Sequence, residues 1–342
     1  MPRSIKQLDR RRLARPALGR GAAILGLLAV TAAVVLVASL FVGSVALAPT
    51  QILAALGGHG SALAHTLVLD IRLPRSLAAF ATGGLLGLAG ALMQVLLRNP
   101  LADPYILGVS GGAAVGALAA LLAGLGTWAA TGSAFGGALM STLIVFVLAH
   151  GPGSWAPTRL LLTGVVIAAG WGAAVSLLLV LSPDATLRSM LFWLMGDLAW
   201  RAAWRVPLAV LAAALLLALP AARSLNVLAR GETQARALGV AVRPLTIGLY
   251  LGASLLTAVA VVEAGTIGFV GLIVPHMIRL AGGSDHRLVL PGAVLGGGTL
   301  LMLADIVARS VVAPRSLPVG VVTAAIGVPL FLYLLLRSRR YP

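Results

Sequence analysis

The chain has 342 residues, of which 60% are hydrophobic and only 10% are charged, and its mean hydropathy is +1.04. A soluble domain of this length needs more charged side chains on its surface, so the composition excludes a soluble globular protein and indicates one that faces lipid. The net charge of +16 fits basic loops beside anionic lipid, since the few aromatic residues do not alternate with the basic ones as in a surface that stacks nucleic-acid bases.

Apolar segments of about 20 residues, the length that crosses the hydrocarbon core of a bilayer, recur along the whole chain. Ten are found, near residues 21–43, 76–97, 106–125, 134–150, 159–181, 206–222, 245–265, 267–281, 289–308 and 317–336. We therefore predict an all-α polytopic membrane protein in which about ten helices form one closely packed transmembrane domain over residues 21–342. A basic cytoplasmic tail over residues 1–20 precedes it.

The first apolar segment could be mistaken for a signal peptide, because Ala46-Leu47-Ala48 resembles a cleavage site. The segment is too long for an ordinary signal sequence, and Pro49 follows the site. We interpret it as an uncleaved anchor.

The basic residues are distributed unequally between the two sides of the predicted bundle. With the N-terminus inside, 18 of the 25 basic residues fall on the inner side and 7 on the outer side. This bias predicts that both termini are cytoplasmic. The outer residues run against the trend; they are Arg72, Arg75, Arg188, Arg201, Arg205, Arg309 and Arg315.

Small residues repeat at four-residue spacing in several of the predicted helices. This spacing allows helix backbones to approach one another closely and predicts tight packing. The repeats are Gly83/Gly87, Gly108/Gly112/Gly116, Gly248/Gly252 and Gly292/Gly296.

The reactive side chains are too few for most kinds of catalysis. The chain has no cysteine, and its one lysine, Lys6, lies in the polar tail, so no phosphate-binding loop with its lysine exists. Energy must come from an ion gradient or from a separate ATPase. Only Glu263 and Asp305 lie in or beside apolar segments, too few carboxylates for the relay of a proton-driven pump.

The histidines also lack the spacing of a helical metal site. We predict no catalytic residue, no metal site and no bound cofactor in this chain. The histidines are His59, His65, His150, His276 and His286.

Two loop-like segments have two interpretations each. Asp70–Arg75, predicted just outside the second helix with Pro74 at the helix start, holds arginines that either snorkel to the interface or point outwards as binding charges. The inner loop 223–243 contains a short predicted helix, Glu232–Leu238, between two glycines. That helix either rests on the membrane surface or binds a cytosolic partner.

A third segment, Gly265–Arg279, has three glycines and a proline within an apolar stretch. This composition predicts either a broken helix beside a transport pathway or close packing without one.

Several long runs closely resemble the permeases of type II ABC importers, a family that carries ferric siderophores, haem and cobalamin. The runs cover residues 71–117, 265–297, 303–309 and 317–336, in the family's order. The resemblance implies a homodimer in a bacterial inner membrane, with two cytosolic ATPase subunits that use ATP and Mg²⁺ and one periplasmic binding protein. For the cargo we favour haem or a ferric siderophore, with cobalamin as the alternative and a gradient-driven transporter as a less favoured one.

The resemblance also implies roles for individual residues. Arg72 and Arg75 in IRLPR and Arg309 in LADIVAR match the arginines that receive the binding protein. Pro157 and Thr158 match the cytoplasmic gate, where Pro157 departs from the pair of small hydroxyl residues that the family can carry. The segment that contacts the ATPase would include Gly231, Glu232, Ala235, Arg236, Leu238 and Gly239.

The outer mouth of the pathway is the last feature that the resemblance implies. Residues 190–196, MLFWLMG, resemble the family's short helix at that mouth, so short broken or re-entrant helices are expected there. Candidate residues of the outer vestibule are Met190, Trp193, Met195 and Glu263.

Overall fold

The structure is a computed structural model that describes residues 10–43, 45–149, 157–198 and 203–338. Within those ranges all regular secondary structure is helical. In chain order the helices are α1 (Arg10–Phe41), α2 (Pro49–Leu56), α3 (Ala62–His65), α4 (Leu73–Leu96), α5 (Val109–Leu122), α6 (Thr127–Ala149), α7 (Pro157–Val180), α8 (Asp184–Met195), α9 (Arg205–Ala218), α10 (Ala222–Leu228), α11 (Glu232–Ala237), α12 (Val242–Ala264), α13 (Val270–Gly282), α14 (His286–Ser310) and α15 (Val319–Ser338).

Each of the ten predicted apolar segments coincides with one of the longer helices, and the all-α polytopic fold is confirmed. Among the described residues, six helices are long and apolar enough to cross a membrane. The pair α9 and α10, bent by 69°, makes a seventh if it is counted as one span, and α5, α13 and α15 contribute shorter apolar helices. The predicted tail over residues 1–20 overlaps α1, which is already helical from Arg10.

The central element of the bundle is α4, whose side chains are almost all buried against α14, α12, α13 and α9. Pro74 lies in the first turn of α4, as predicted, but helix rather than a loop precedes it. A π-helical turn, Thr66–Arg72, joins α3 to α4, so one continuous helix runs over Ala62–Leu96. In this wide turn the Leu73 amide donates to the Val68 carbonyl, five residues earlier. Pro74 follows in the first turn of α4, where the N–H group that proline lacks would have no partner within the α-helix.

Glycines confirm the predicted close packing at the centre of the bundle. On α4, a Cβ at Gly83 or Gly87 would overlap carbonyl oxygens of Gly297 or Ala293 on α14. Only hydrogen at these positions lets the two backbones meet.

The same packing joins α5 to α6, where a Cβ at Gly112 or Gly116 would overlap the backbone of Gly137 or Ser133. On α14, Gly292 and Gly296 receive side chains of α13.

The repeat Gly248/Gly252 on α12 does not meet the backbone of another helix, and the prediction of close helix packing there is wrong. No atom lies within 4 Å of a Cβ built at Gly248, and only Leu92 Cδ1, at 4.0 Å, lies near one built at Gly252. This face of α12 therefore borders open space.

Candidate functional site

The outer end of the bundle, the end predicted to face the periplasm, holds a cluster of charged side chains around Asp305. Asp305 is only 1% exposed. Arg75 donates to its Oδ1 from Nε at 2.9 Å and from Nη2 at 2.8 Å, and the Nε of Arg309, one turn along α14, lies 3.5 Å from Oδ2. Arg75 and Arg309 thus meet at one carboxylate, and Arg72 lies near enough for its charge to act on Arg309.

Two of these arginines also hold the C-terminal end of α1. The Nη1 of Arg72 donates to the Leu40 carbonyl at 2.6 Å, and its Nη2 donates to the Val45 carbonyl. The Nη2 of Arg309 donates to the Ser39 carbonyl at 2.7 Å. The last carbonyls of a helix lack partners within the helix, and cations there also interact favourably with the helix dipole. Arg72 and Arg309 therefore act as a cap supplied by other helices.

The three cluster arginines differ in what they present to a partner. Arg72 and Arg309 are buried, whereas the side chain of Arg75 is 14% exposed. Three guanidinium groups against one carboxylate leave the cluster with a net charge of +2, which favours an acidic partner. The role of these arginines in binding such a partner stays a prediction, and Arg75 is the one that the geometry favours.

The predicted break between helices lies where the glycines indicate. α12 ends at Ala264 and α13 starts at Val270, and Gly265 has a φ of 68°. A Cβ there would overlap the Trp193 carbonyl of α8. The broken helix is therefore confirmed, and a pathway beside it stays a prediction.

Backbone contacts join this break to the ends of two other helices. The Asp197 amide donates to the Ala264 carbonyl at 2.9 Å, and the Val319 amide of α15 donates to the Gly196 carbonyl at 2.9 Å. Three helix ends thus meet through backbone hydrogen bonds, as expected for non-helical backbone enclosed within a membrane protein.

The predicted vestibule residues lie beside this junction, with different exposures. Met190, Trp193 and Glu263 are buried within the chain, so the alternative of a solvated Glu263 is not observed. Met195 is exposed, at the end of α8. A contact of these residues with cargo stays a prediction.

At the inner end, the predicted short helix is present as α11. Gly231, with a φ of 125°, precedes it and Gly239, with a φ of 78°, follows it. The amides of Gly239 and Val240 donate back to the Arg236 and Ala235 carbonyls, which is the hydrogen-bonding pattern of a glycine-terminated helix.

The two faces of α11 have different environments. Ala235 is fully buried, whereas Arg236 is exposed and Leu238 is 71% exposed. Arg236 and Leu238 are therefore the side chains of this segment that another protein could reach.

An ion pair connects α11 to the central helix. The Nη2 of Arg98, two residues beyond the end of α4, lies 3.3 Å from Oε1 of Glu232. Pro157, at the start of α7, borders the same small cleft as these two residues. The predicted gate position therefore lies beside the predicted ATPase contact, while residues 150–156 before it fall outside the described ranges.

Sequence reasoning missed Asp305 as the partner of Arg75 and Arg309, and Arg98 as the partner of Glu232. The four-residue spacing of Asp305 and Arg309 could have indicated the first pair, because such residues are neighbours on a helix. No local pattern indicates that Arg98 pairs with Glu232, 134 residues away.

Comparison with known proteins gives the same picture over most of the chain. The model of the FecCD transport family matches residues 30–337. The vitamin B12 import system permease protein BtuC of Citrobacter koseri is 42% identical over 290 residues, covering 83% of this chain and 87% of that protein. BtuC of Escherichia coli O9:H4 is 43% identical over 279 residues, covering 80% of this chain and 84% of that protein.

Two solved structures are also similar. An inward-facing structure assigned to a metal-chelate type ABC transporter superposes with a TM-score of 0.82 at 32% identity, covering 92% of this chain and 99% of that one. PsaBC from Streptococcus pneumoniae, in complex with a Fab, has a TM-score of 0.52 at 18% identity over 79% of this chain and 92% of its own, a likeness of fold alone.

Proposed function

Because the chain belongs to the FecCD transport family and is the permease of a type II ABC importer, we propose that the cargo it moves is cobalamin. The permease is a transport component, and ATP is hydrolysed by a separate ATPase subunit. The observation that carries the cobalamin proposal is the identity of 42–43% to two BtuC proteins over 80–83% of this chain. Haem or a ferric siderophore, the cargo favoured from the sequence, is less well supported than this alternative.

An iron chelate remains the second candidate for one reason. A solved structure that superposes on this chain with a TM-score of 0.82 is assigned to a metal-chelate type ABC transporter. Its identity to this chain, 32%, is lower than that of the BtuC proteins, so the observation supports the chelate less strongly.

Uptake into proteoliposomes tests the cargo. With the cognate ATPase and binding protein present, we expect ATP-dependent uptake of radiolabelled cyanocobalamin at least about tenfold faster than that of haem or a ferric hydroxamate, a preference of about 1.4 kcal/mol. The permease alone should take up neither, since it has no phosphate-binding loop. Faster uptake of either iron compound than of cyanocobalamin would show that the cobalamin assignment is wrong.

The assembly that we propose is a homodimer in the bacterial inner membrane with both termini cytoplasmic. Two observations support it: the unequal distribution of the 25 basic residues, and the small part of α7 that the rest of the chain covers. Two ATPase subunits would contact α11 and its flanking glycines, with Pro157 and Thr158 at the gate beside them. A periplasmic binding protein would contact the outer end.

Arg75 is the residue that tests the binding-protein contact. Arg75→Gln should lower the affinity for the binding protein by roughly tenfold, because a partly exposed arginine at an interface rim contributes modestly. Surface plasmon resonance at low and high salt measures it, and the wild-type affinity should fall as salt screens the charges. Arg188→Gln, an exposed arginine on α8 outside the cluster, is the matched control. Equal affinities of the wild type and Arg75→Gln at low salt would exclude this contact.

A further inference from the structure

An apolar groove runs along the side of the bundle between α9 and α12. Its volume is about 520 Å³, and Leu92 of α4 forms its floor. Every residue that lines it is apolar. They include Ala214, Ala218, Pro244, Gly248, Gly252 and Leu256.

The glycine repeat of α12 is what keeps the groove open. Gly248 has no atom within 4 Å of the place where a Cβ would lie, and the space above Gly252 reaches Leu92 only at 4.0 Å. Opposite them, α9 contributes alanines such as Ala214 and Ala218. In a helix pair these small residues would bring the backbones together, but here they border a cavity.

The length and position of the groove match one leaflet of a bilayer. On α12 it extends from Pro244 to Leu256, which is about 18 Å at 1.5 Å per residue. Half of a hydrocarbon core is about 15 Å thick. Because α12 is a candidate membrane span and no lining residue has a polar side chain, hydrocarbon is the filler that suits this groove.

Two arginines lie at the inner end of the groove. Arg243 directly precedes Pro244, the first groove residue of α12, and Arg223 follows Ala221 by two residues at the bend into α10. Both are exposed, and neither forms an ion pair with another residue of the described ranges. Basic residues at this depth on the cytoplasmic side attract anionic headgroups.

We propose that this groove binds an anionic phospholipid of the inner leaflet, with one acyl chain between α9 and α12 and its phosphate at Arg223 and Arg243. The occupant is a lipid because the groove is about as long as one leaflet is thick, its lining is apolar as an acyl chain requires, and basic residues lie at its inner end, where the phosphate would be. The site goes beyond the proposed transport function. The groove also extends towards the proposed ATPase contact, since it is lined by Leu225 of α10, the helix that precedes α11.

Lipid association with the purified full-length permease in nanodiscs tests the proposal. The probes are spin-labelled phosphatidylglycerol and phosphatidylcholine in a matrix of phosphatidylcholine. We expect the wild type to prefer phosphatidylglycerol, and Arg223→Gln with Arg243→Gln to lower this preference by roughly twenty-five-fold, at about fivefold for each arginine. Arg287→Gln, an exposed inner arginine outside the groove, should leave the preference unchanged.

A second variant tests the binding of the acyl chain separately from the binding of the headgroup. Gly248→Leu fills the open groove and should reduce the association of both lipids without changing their ratio. Gly132→Leu on α6, another exposed glycine with nothing within 4 Å of its Cβ position, is the matched control. Unchanged association in Gly248→Leu, or an unchanged ratio in the double arginine variant, would overturn the proposal. A shift of Gly248→Leu from dimer to monomer would also overturn it, because a second copy of the chain would then be the occupant.

Discussion

Replacing Glu232–Leu238 by a flexible glycine–serine linker of equal length is expected to abolish ATP-driven uptake. The reason is that α11 is the short inner helix that would carry the motion of the ATPase to the permease, through the Glu232–Arg98 pair at the end of α4. Uptake into proteoliposomes measures the loss, and size-exclusion chromatography should show the permease dimer intact. Uptake at the wild-type rate would contradict the assignment of α11 as the ATPase contact.

A single substitution distinguishes loss of the ATPase contact from damage to the packing of the permease itself. The linker also removes Ala235, which is fully buried, whereas Leu238 is 71% exposed and can be changed without opening a cavity. Leu238→Ser should weaken binding of the ATPase by at least about 2 kcal/mol, the range of an interface hot spot, or roughly thirtyfold. Leu53→Ser is the matched control, since Leu53 is 61% exposed on α2, at the opposite end of the bundle. Its variant should bind the ATPase like the wild type.

Asp305→Asn is expected to cause the largest loss of stability of any single charge change at the outer end. The substitution keeps the size of the side chain but leaves Arg75 and Arg309 without the carboxylate that pairs with both. Removing one partner of a buried ion pair costs about 3–5 kcal/mol, because the remaining charges are uncompensated. For a chain of this size we expect a fall in Tm of about 4–7 °C in detergent.

The double variant Asp305→Asn with Arg75→Gln tests that reasoning. It removes both members of the bidentate pair and should recover part of the lost Tm, since one uncompensated cation fewer remains. Asp184→Asn, an exposed carboxylate at the start of α8, is the control and should change Tm by less than about 2 °C. A Tm of Asp305→Asn within about 2 °C of the wild type would show that the cluster does not stabilise the fold.

Local sequence chemistry determined the positions of the helices and of their breaks. Ten apolar segments of membrane-crossing length each correspond to a helix, because an apolar stretch in lipid must satisfy its own backbone hydrogen bonds. Gly231 and Gly239 bounded α11 correctly, because both adopt the positive φ values that side chains disfavour. The family resemblance was also readable, since its runs are long and keep their order.

Contacts between distant helices were decided only by the tertiary structure. Arg72 and Arg309 have the sequence signature of outward charges, yet they cap α1 through carbonyls that lie 32 and 270 residues away. Gly248 and Gly252 have the same spacing as Gly83 and Gly87, but only the latter meet another backbone. Spacing reports which residues share a helix face, whereas the neighbour of that face depends on how all the helices pack. For that reason the bundle was predictable from its sequence, and the partners of its arginines and glycines were not.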